Sequence, residues 1–505
     1  MKKNIRYLNL PWYIGLMVIA LAVFIYIFNP KLDLNGDNCY YYINATSLAA
    51  GNGYSNMFGE PTNNFPPGYP LLMTPLRIIT DSIVAQKIQN LFLLFIGVLL
   101  LFDTLVKVGF KRSLSFVACV AVLLTPHLLE FSTMMMSEAA CFCCIALIFR
   151  LYLSLPADDR ALWRSPCFYF FLSALVFVYY IRTQAVVVAG AFVLALLFAR
   201  RWRVAIAVAC AFVAGCLPWM IRNAVHGLEQ SRYLTQVDFS KILSTLKMLL
   251  VQAVPESIVP FVNVNYIEPP TITLWAFALL WLLFIIVGFC KMRRLRWPLL
   301  LFFAGTLAIV SIINTPSLYR YIIIALPFLT AALFVGIWSV GEASLMWLSK
   351  GRLGLSPWIL SLLLVPLFVQ TNENTKHTIY GLHNIAAMQF PAQFDNFIEA
   401  GRSLYRRDKF AIVATRKPEI LFVGSGVRGK HFLETDDDRE LVADLMMKGV
   451  DFVLLDQLGT PATIKYMYPC VKRHPEFFRP VIRVPNPDTY LIYFDRIRAR
   501  KWLDE

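Results

Sequence analysis

A carboxylate and three tyrosines follow closely on the first long apolar stretch of the sequence. In residues 35–42, "NGDNCYYY", Asp37 precedes Tyr40 and Tyr41 by three and four positions, so these side chains share one face if the segment is helical. A carboxylate held in this way can accept the proton of a weak nucleophile such as an alcohol. A structural role fits equally well, with Asp37 as a helix N-cap and the tyrosines in an aromatic belt at a membrane surface. These eight residues alone leave both interpretations open.

The segment that follows the tyrosines favours the first interpretation. The sequence "GNGY" ends a short helix predicted at about 38–50, and residues 65–72, "FPPGYPLL", form a turn in which three prolines leave little backbone freedom. Binding and catalytic residues are often found on loops that a rigid scaffold positions. A loop stiffened in this way indicates that its side chains are held in place.

The composition requires a membrane environment for most of this chain. Of its 505 residues, 58% are hydrophobic and 16% are charged, which is more apolar surface than a soluble domain can bury. The net charge of +15 comes from short Lys and Arg clusters between apolar runs. This distribution is the topogenic pattern of a polytopic membrane protein, and we expect no nucleic-acid partner.

About eleven apolar runs are long enough to be transmembrane helices. The first is preceded by a basic N-terminus and is not followed by a small-residue cleavage site, so we expect it to be retained. Basic clusters in alternate turns place the N-terminus in the cytoplasm and residues 371–505 outside. The runs lie at about 11–28, 83–106, 113–129, 137–155, 166–181, 184–199, 204–221, 272–290, 298–313, 320–341 and 355–370.

The predicted domains are a transmembrane domain, 1–370, and an exterior C-terminal domain, 371–505. The transmembrane domain carries two long exterior loops, at 29–82 and 222–271. In the C-terminal domain, "DDDRELVADLMMKG" predicts a helix that ends at Gly449. A small α/β domain is indicated by this helix and by five predicted strands, "KFAIVATR", "EILFVGS", "DFVLLD", "VIRV" and "DTYLIYF".

Several motifs together resemble a known family. An acid after the first transmembrane helix, a tyrosine-containing helix, "GNGY" and "PPGYP" are similar to the polyprenyl-phosphate-dependent glycosyltransferases of the GT-C class. The resemblance is to the branch that contains protein O-mannosyltransferases and lipid A aminoarabinose transferases. It covers nearly the whole chain, because further motifs follow in the family's order: "TPHLLEFSTMMMSEAA", "YIRTQ", "PWMIRNAVHG", "LYRYIIIALPFL" and "TRKPEILFVGSG".

The resemblance implies a reaction outside the cytoplasmic membrane. A sugar on a polyprenyl phosphate is transferred with inversion to a hydroxyl of an acceptor, which is a glycan, a lipid or a protein. Asp37 matches the family's acid and is expected to be the general base. The phosphate leaving group is already ionised and needs cationic stabilisation. The nearest branches resemble metal-independent enzymes, so no metal and no cofactor are expected.

The remaining candidate residues lie at exterior membrane edges. Arginine binds phosphate through its planar fork, although each arginine could also reach lipid headgroups. Glu138 opens a helix in "MMMSEAA" and either contacts substrate or complements the helix dipole, and for His127 a structural role is favoured over one at the acceptor site. The expected phosphate-binding residues are Arg320, Arg222, Arg182 and Lys87, and the expected substrate-lining residues are Tyr40, Tyr41, Tyr69, Tyr319 and Tyr321.

Three other functions remain as alternatives. A transporter or lipid flippase would place its charges at mid-depth and show repeated halves, and no duplication is seen. A membrane-anchored receptor would leave the stiff first loop unexplained. A lipid-linked oligosaccharide polymerase or ligase shares substrates and sidedness. We expect a bacterial inner-membrane protein, in which Cys39 and Cys470 both lie outside and a disulfide between them is conceivable.

Overall fold

The described part of the chain falls into two compact units. This computed structural model describes residues 3–33, 36–228, 237–258, 272–313, 318–368, 378–387 and 392–505. The first unit, called here the helical unit, comprises residues 1–30 and 63–387, and the second, the α/β unit, comprises residues 31–62 and 388–505.

Long apolar helices dominate the helical unit. Within the described residues, six are long and apolar enough to cross a membrane, and a seventh span results if Arg112–Leu123 and Pro126–Ser132, bent by 60°, are counted as one. Shorter apolar helices coincide with three more predicted spans, Pro166–Ile181, Thr183–Phe198 and Pro357–Phe368. The count of about eleven stays a prediction. The six long helices are Asn9–Ile27, Ile83–Val108, Trp202–Val225, Ile272–Lys291, Arg293–Ile312 and Leu326–Leu348.

Two glycines bring a pair of these helices into backbone contact. A Cβ on Gly288 would lie 1.9 Å from the Ala332 carbonyl oxygen, and one on Gly336 would lie 1.9 Å from that of Phe284. Because small residues let helix backbones approach closely in an apolar environment, this contact locks Ile272–Lys291 against Leu326–Leu348. Residues 326–336 are all buried, so the first half of this helix lies in the core of the unit.

Local signals mark both ends of one long helix, and the other α-helices of the helical unit are shorter. Ile83–Val108 starts where the Ser82 hydroxyl accepts a bond from the Ala85 amide, and ends before Gly109, whose φ is 115°. The remaining helices are Gly68–Ile79, Glu138–Tyr152, Asp159–Trp163, Ile242–Met248, Val254–Ile258, Leu318–Ile322 and Ile379–Ala387.

A five-stranded mixed sheet forms the centre of the α/β unit. Its strands are β1 (Ile412–Ala414), β2 (Arg428–Lys430), β3 (Phe452–Leu455), β4 (Phe478–Val484) and β5 (Thr489–Phe494), in the order β2-β1-β3-β5-β4. β1 is parallel to β2 and β3, with Val413 opposite Gly429, whereas β5 is antiparallel to β3 and β4. Helices Ala392–Tyr405, Pro418–Ser425, Asp438–Met447, Tyr468–Arg473 and Arg496–Asp504 accompany this sheet.

One predicted strand of this unit is wrong. "EILFVGS" lies in the helix Pro418–Ser425 and not in a strand. The helix begins with a proline at its first position and Glu419 in its first turn, and it ends before Gly426, whose φ is 85°. These terminal signals outweigh the strand preference of the β-branched and aromatic residues between them.

Part of the first predicted exterior loop belongs to the α/β unit. The short helix predicted at about 38–50 runs over Gly36–Ala49 and packs against helix Pro418–Ser425. Its Cys39 is fully buried in one core cluster with residues that include Ile420 and Leu421. The predicted domain boundary kept residues 29–82 with the transmembrane helices, whereas residues 31–62 pack with 388–505. Local sequence patterns cannot predict a contact between segments that are so distant in sequence.

Both cysteines that were predicted to lie outside are free in this structure. Cys39 and Cys470 are each fully buried, in two different core clusters of the α/β unit. Burial raises the pKa of the Cys39 thiol well above its usual value and that of Cys470 to about 12. Each thiol therefore behaves as a small apolar side chain.

Candidate functional site

Three charged side chains of the helical unit, Glu138, Arg182 and Arg320, form one cluster. The Glu138 carboxylate has no solvent exposure, and its Oε1 atom lies 2.7 Å from Nη1 of Arg182 and 3.2 Å from Nε of Arg320. The two arginine side chains are 11% and 21% exposed. A carboxylate is tolerated at such depth only when it is paired and hydrogen-bonded. The cluster thus holds two guanidinium groups, which suit phosphate through their planar forks, against one carboxylate.

The local chain fixes Arg182 at a break between two helices. It is the residue after helix Pro166–Ile181, where its backbone amide bonds to the Val178 carbonyl at 3.0 Å. The next turn, Thr183–Ala185, contains Gln184, whose amide nitrogen donates to the Tyr321 carbonyl at 2.7 Å. Because Tyr321 follows Arg320 directly, this bond links the backbones that carry the two arginines.

Glu138 is positioned by the loop before its helix. It is the first residue of Glu138–Tyr152, and the preceding Ser137 hydroxyl accepts a 3.4 Å bond from Arg182. The buried amide of Asn90 donates to backbone carbonyls at the end of helix Pro126–Ser132 and in the loop after it, most closely to that of Met134 at 2.7 Å. The guanidinium of Arg320 also lies 5.6 Å from the centre of the Phe131 ring in this helix.

The "PPGYP" turn lies beside Arg182 rather than in an isolated loop. A Cβ on Gly68 would lie 2.5 Å from the carbonyl carbon of Tyr180 and 2.7 Å from the amide nitrogen of Ile181. Glycine is therefore required where helix Gly68–Ile79 meets the end of helix Pro166–Ile181. Tyr69, expected to line the substrate, is 1% exposed.

The other predicted residues of the helical unit have partners of their own. Lys87 is fully buried and donates to the Asn29 carbonyl at 2.9 Å. His127 is 3% exposed, with Nδ1 3.9 Å from Oε2 of Glu130.

Arg222 and the two tyrosines beside Arg320 complete the predicted set in this unit. Arg222 donates to Asn223 Oδ1 at 2.9 Å and lies 5.0 Å from the centre of the Trp219 ring. Tyr321 is half-buried, whereas the Tyr319 side chain lies outside the described residues.

Asp37 and its neighbouring tyrosines are in the α/β unit. Asp37 is half-buried in the first turn of helix Gly36–Ala49. Tyr41 is 2% exposed, and Tyr40 makes a side-chain hydrogen bond with Glu419. The residues predicted as one site are thus distributed over both units.

Sequence reasoning missed the residues that support the charged cluster. Asn90, Gln184 and Gly68 were not given roles, although each holds a backbone segment next to a charged residue. A signal for Asn90 exists in "VAQKIQNLF", where amides interrupt an otherwise apolar helix. No cluster of three metal-binding side chains occurs among the residues described, and the expected independence from metal stays a prediction.

Comparison with known proteins identifies the fold. No protein-family model and no curated protein matches the sequence. ArnT from Cupriavidus metallidurans, in a crystal structure bound to undecaprenyl phosphate, matches with a TM-score of 0.61 and 11% identity over 96% of this chain and 98% of its own. The oligosaccharyltransferase of Archaeoglobus fulgidus, tethered with an acceptor peptide, matches with a TM-score of 0.53 and 11% identity over 96% of this chain and 74% of its own.

A second structure of the archaeal enzyme, AglB in complex with an inhibitory peptide and a dolichol-phosphate, also has a TM-score of 0.53 and 11% identity, over 96% of this chain and 74% of its own. These neighbours are membrane glycosyltransferases of the GT-C class. The predicted resemblance is confirmed at the level of the fold, and the chain is a multi-pass membrane protein with a GT-C fold.

Proposed function

We propose that this protein is an integral-membrane glycosyltransferase that takes its sugar from a polyprenyl-phosphate donor. The observation that carries the proposal is the buried Glu138–Arg182–Arg320 cluster, in a fold whose neighbour ArnT was crystallised with undecaprenyl phosphate. AglB, with the same fold, was solved with a dolichol-phosphate. Both lipids present a phosphate on a long isoprenoid chain.

Arg182 and Arg320 are the proposed phosphate ligands. Paired arginines stabilise the charge that grows on a phosphate as its bond to the sugar breaks. Glu138 holds both guanidinium groups in one place, since its Oε1 atom contacts each of them. Because Lys87 is bonded to a backbone carbonyl and Arg222 to Asn223, we assign both a secondary part in phosphate binding.

Asp37 is the proposed general base. Its carboxylate accepts the proton of the acceptor hydroxyl as that oxygen forms a bond to the anomeric carbon. The bond between this carbon and the phosphate oxygen breaks at the same time, so the configuration inverts. Polyprenyl phosphate leaves with the bonding electron pair, and no second acid is needed because the phosphate is already ionised.

The reaction is proposed to take place on the exterior face of a bacterial inner membrane. Basic clusters in alternate turns support a cytoplasmic N-terminus and an exterior α/β unit. The acceptor is a hydroxyl of a glycan, lipid or protein. His127, Tyr41, Tyr69, Tyr319 and Tyr321 remain candidates for lining its site.

The decisive experiment is Asp37→Asn in the purified full-length protein. With a polyprenyl-phosphate sugar as donor, we expect transfer to fall by roughly 10²–10⁴-fold, the usual contribution of a general base. Thermal stability and donor affinity should stay unchanged. Asp81→Asn is the matched control, because Asp81 lies in the same predicted loop and its side chain is 92% exposed. Full transfer by Asp37→Asn would remove this residue from the mechanism.

A second candidate is transfer of a preassembled oligosaccharide. This candidate is supported by the structural match to an archaeal oligosaccharyltransferase over 96% of this chain. Assays with donors that carry one sugar or several distinguish the two. Solute uptake into vesicles without any lipid donor would instead indicate a transporter.

A further inference from the structure

The helix that carries Asp37 is built into the α/β unit. Gly36–Ala49 packs on Pro418–Ser425, and its buried residues include Cys39 and Tyr41. Cys39 belongs to the same core cluster as Ile420 and Leu421. This helix is therefore a core element of the unit rather than a free exterior loop, and its position depends on what holds it there.

A buried carboxylate provides a directional contact at this packing surface. Glu419, in the first turn of helix Pro418–Ser425, is 5% exposed and makes a side-chain hydrogen bond with Tyr40. Its Oε1 atom also lies 3.3 Å from Nε2 of His431, which is 46% exposed. Burial alone would raise the pKa of Glu419, but the bonds from His431 and Tyr40 hold it below its usual value. The carboxylate is therefore charged at neutral pH, and such bonds are stronger than neutral ones.

A second contact joins the strand that follows helix Pro418–Ser425 to the loop that follows helix Gly36–Ala49. Lys430, the residue before His431, lies 5.0 Å from the centre of the Phe58 ring. The loop around Phe58 is held by Asn56, whose Oδ1 accepts from the backbone amides of Phe58 and Glu60 at 2.8 and 3.1 Å. The segment that carries Asp37 thus contacts the rest of the α/β unit both before the "GNG" turn, through Tyr40, and after it, through Phe58.

We propose that Glu419 is a positioning residue for catalysis, which fixes the orientation of the Asp37 helix through the Tyr40 hydroxyl. The inference rests on the proposed function, with Asp37 as the base. Tyr40 follows Asp37 by three residues, about one helical turn, so a rotation of the helix that breaks the Tyr40 bond also moves the Asp37 carboxylate. Tyr40 thereby acts within the protein rather than on the substrate.

The test compares four single variants and one double variant of the full-length protein in detergent with a polyprenyl-phosphate sugar donor. Tyr40→Phe removes the hydroxyl, Glu419→Ala removes the acceptor, and Glu419→Gln keeps an acceptor without the charge. We expect Tyr40→Phe and Glu419→Ala to lower kcat by about 10–100-fold, because a misplacement of about 1 Å can cost 10²-fold. The KM for the donor should stay within about twofold of the wild-type value, and Glu419→Gln should recover much of the lost kcat.

The fourth variant is a matched control. Asp438 forms the same kind of acid–histidine pair, 3.0 Å from His474, in the same unit but not on the Asp37 helix. Asp438→Asn should lower stability and leave kcat unchanged. The double variant Tyr40→Phe/Glu419→Ala should be no worse than the more damaging single change, because both remove one interaction.

Each contrary outcome is distinct. Wild-type kcat in the folded fraction of Tyr40→Phe and Glu419→Ala would overturn the positioning role, and Tyr40→Phe alone suffices if Glu419→Ala fails to fold. A raised donor KM with unchanged kcat in Tyr40→Phe would place Tyr40 on the substrate and also overturn it. If Asp37→Asn abolishes transfer while these variants do not change kcat, only this inference fails. If Asp37→Asn is fully active, the proposed function itself fails.

Discussion

The Nη1 atom of Arg182 lies 2.7 Å from Oε1 of Glu138, a carboxylate with no solvent exposure. Arg320 contacts the same oxygen atom from a third segment of the chain, at 3.2 Å. Three separate stretches of sequence are therefore joined at one oxygen. The stability of this part of the protein and its proposed affinity for phosphate depend on the same contacts.

Removal of the Glu138 carboxylate should destabilise the protein strongly. Glu138→Ala leaves two arginines without their buried counter-charge, and breaking a buried ion pair costs about 3–5 kcal/mol. Thermal unfolding of the full-length protein in detergent measures this loss. Glu130→Ala is the control: its carboxylate is 36% exposed and 3.9 Å from His127, and such pairs are worth about 0–1 kcal/mol. An equal loss of thermal stability in Glu138→Ala and Glu130→Ala would contradict the burial of the Glu138 carboxylate.

Replacement of Arg320 by lysine should weaken donor use without unfolding the protein. Lysine keeps the charge but loses the planar fork, so a charge-assisted hydrogen bond worth about 1.5–3 kcal/mol is lost. We expect kcat/KM for the polyprenyl-phosphate donor to fall by roughly 10–150-fold. Arg406→Lys, at a side chain that is 71% exposed, serves as the control. Unchanged kcat/KM in Arg320→Lys would exclude Arg320 as a phosphate ligand.

A methyl group on Gly68 should disturb the charged cluster from a distance. In Gly68→Ala the new Cβ would lie 2.5 Å from the Tyr180 backbone, which must shift together with the neighbouring Arg182. Overpacking of this kind costs about 1–3 kcal/mol, and we expect a lower melting temperature and weaker donor binding. Gly190→Ala tests the specificity, because a Cβ there meets nothing within 4 Å. A melting temperature of Gly68→Ala equal to that of the wild type would show that the two helices are not in contact.

The sequence predicts where single helices lie better than it predicts which helices contact one another. The short helix that carries Asp37 was predicted because its polar start and its "GNG" end are local signals, and it runs over Gly36–Ala49. Sidedness also selected Glu138, Arg182 and Arg320 as candidates. Their mutual pairing was not predicted, because nothing in an apolar pattern specifies which residues of distant helices face one another.

Asp103 and Arg150 illustrate the same limit. In the sequence each is a charge within its own apolar run, at 83–106 and 137–155. In the structure the Arg150 guanidinium bonds directly to the Asp103 carboxylate, although 47 residues separate them in sequence. The packing of helix Ile83–Val108 against Glu138–Tyr152 creates this pair. Helix–helix packing is a property of the whole fold, so the residue types were visible in advance and their partnership was not.

The contribution of Asp438 to stability should disappear in acid. Hydrogen bonds from Arg473 and His474 lower the pKa of this carboxyl below its usual value. The folded state then binds fewer protons than the unfolded state, so the stabilisation is complete above the unfolded pKa of about 3.9 and is lost as the pH falls through the folded pKa. The stability difference between wild type and Asp438→Asn should be constant above about pH 5 and shrink below about pH 4.

Denaturant titrations monitored by tryptophan fluorescence can follow this loss, since Trp502 packs against His474 beside Asp438. Glu440→Gln is the comparison, an exposed carboxylate on the same helix whose main contact is with Thr435. A stability difference for Asp438→Asn that persists unchanged at pH 3 would contradict the lowered pKa.

The packing of Gly36–Ala49 on Pro418–Ser425 also sets an order for biogenesis. The ribosome synthesises the segment that bears Asp37 before the long apolar helices that follow it, whereas its partner helix Pro418–Ser425 is synthesised only after them. Until then this segment lacks the helix on which it packs. A message truncated between the codons of Leu348 and Pro418 therefore encodes the six long apolar helices but not the helix on which the Asp37 segment packs.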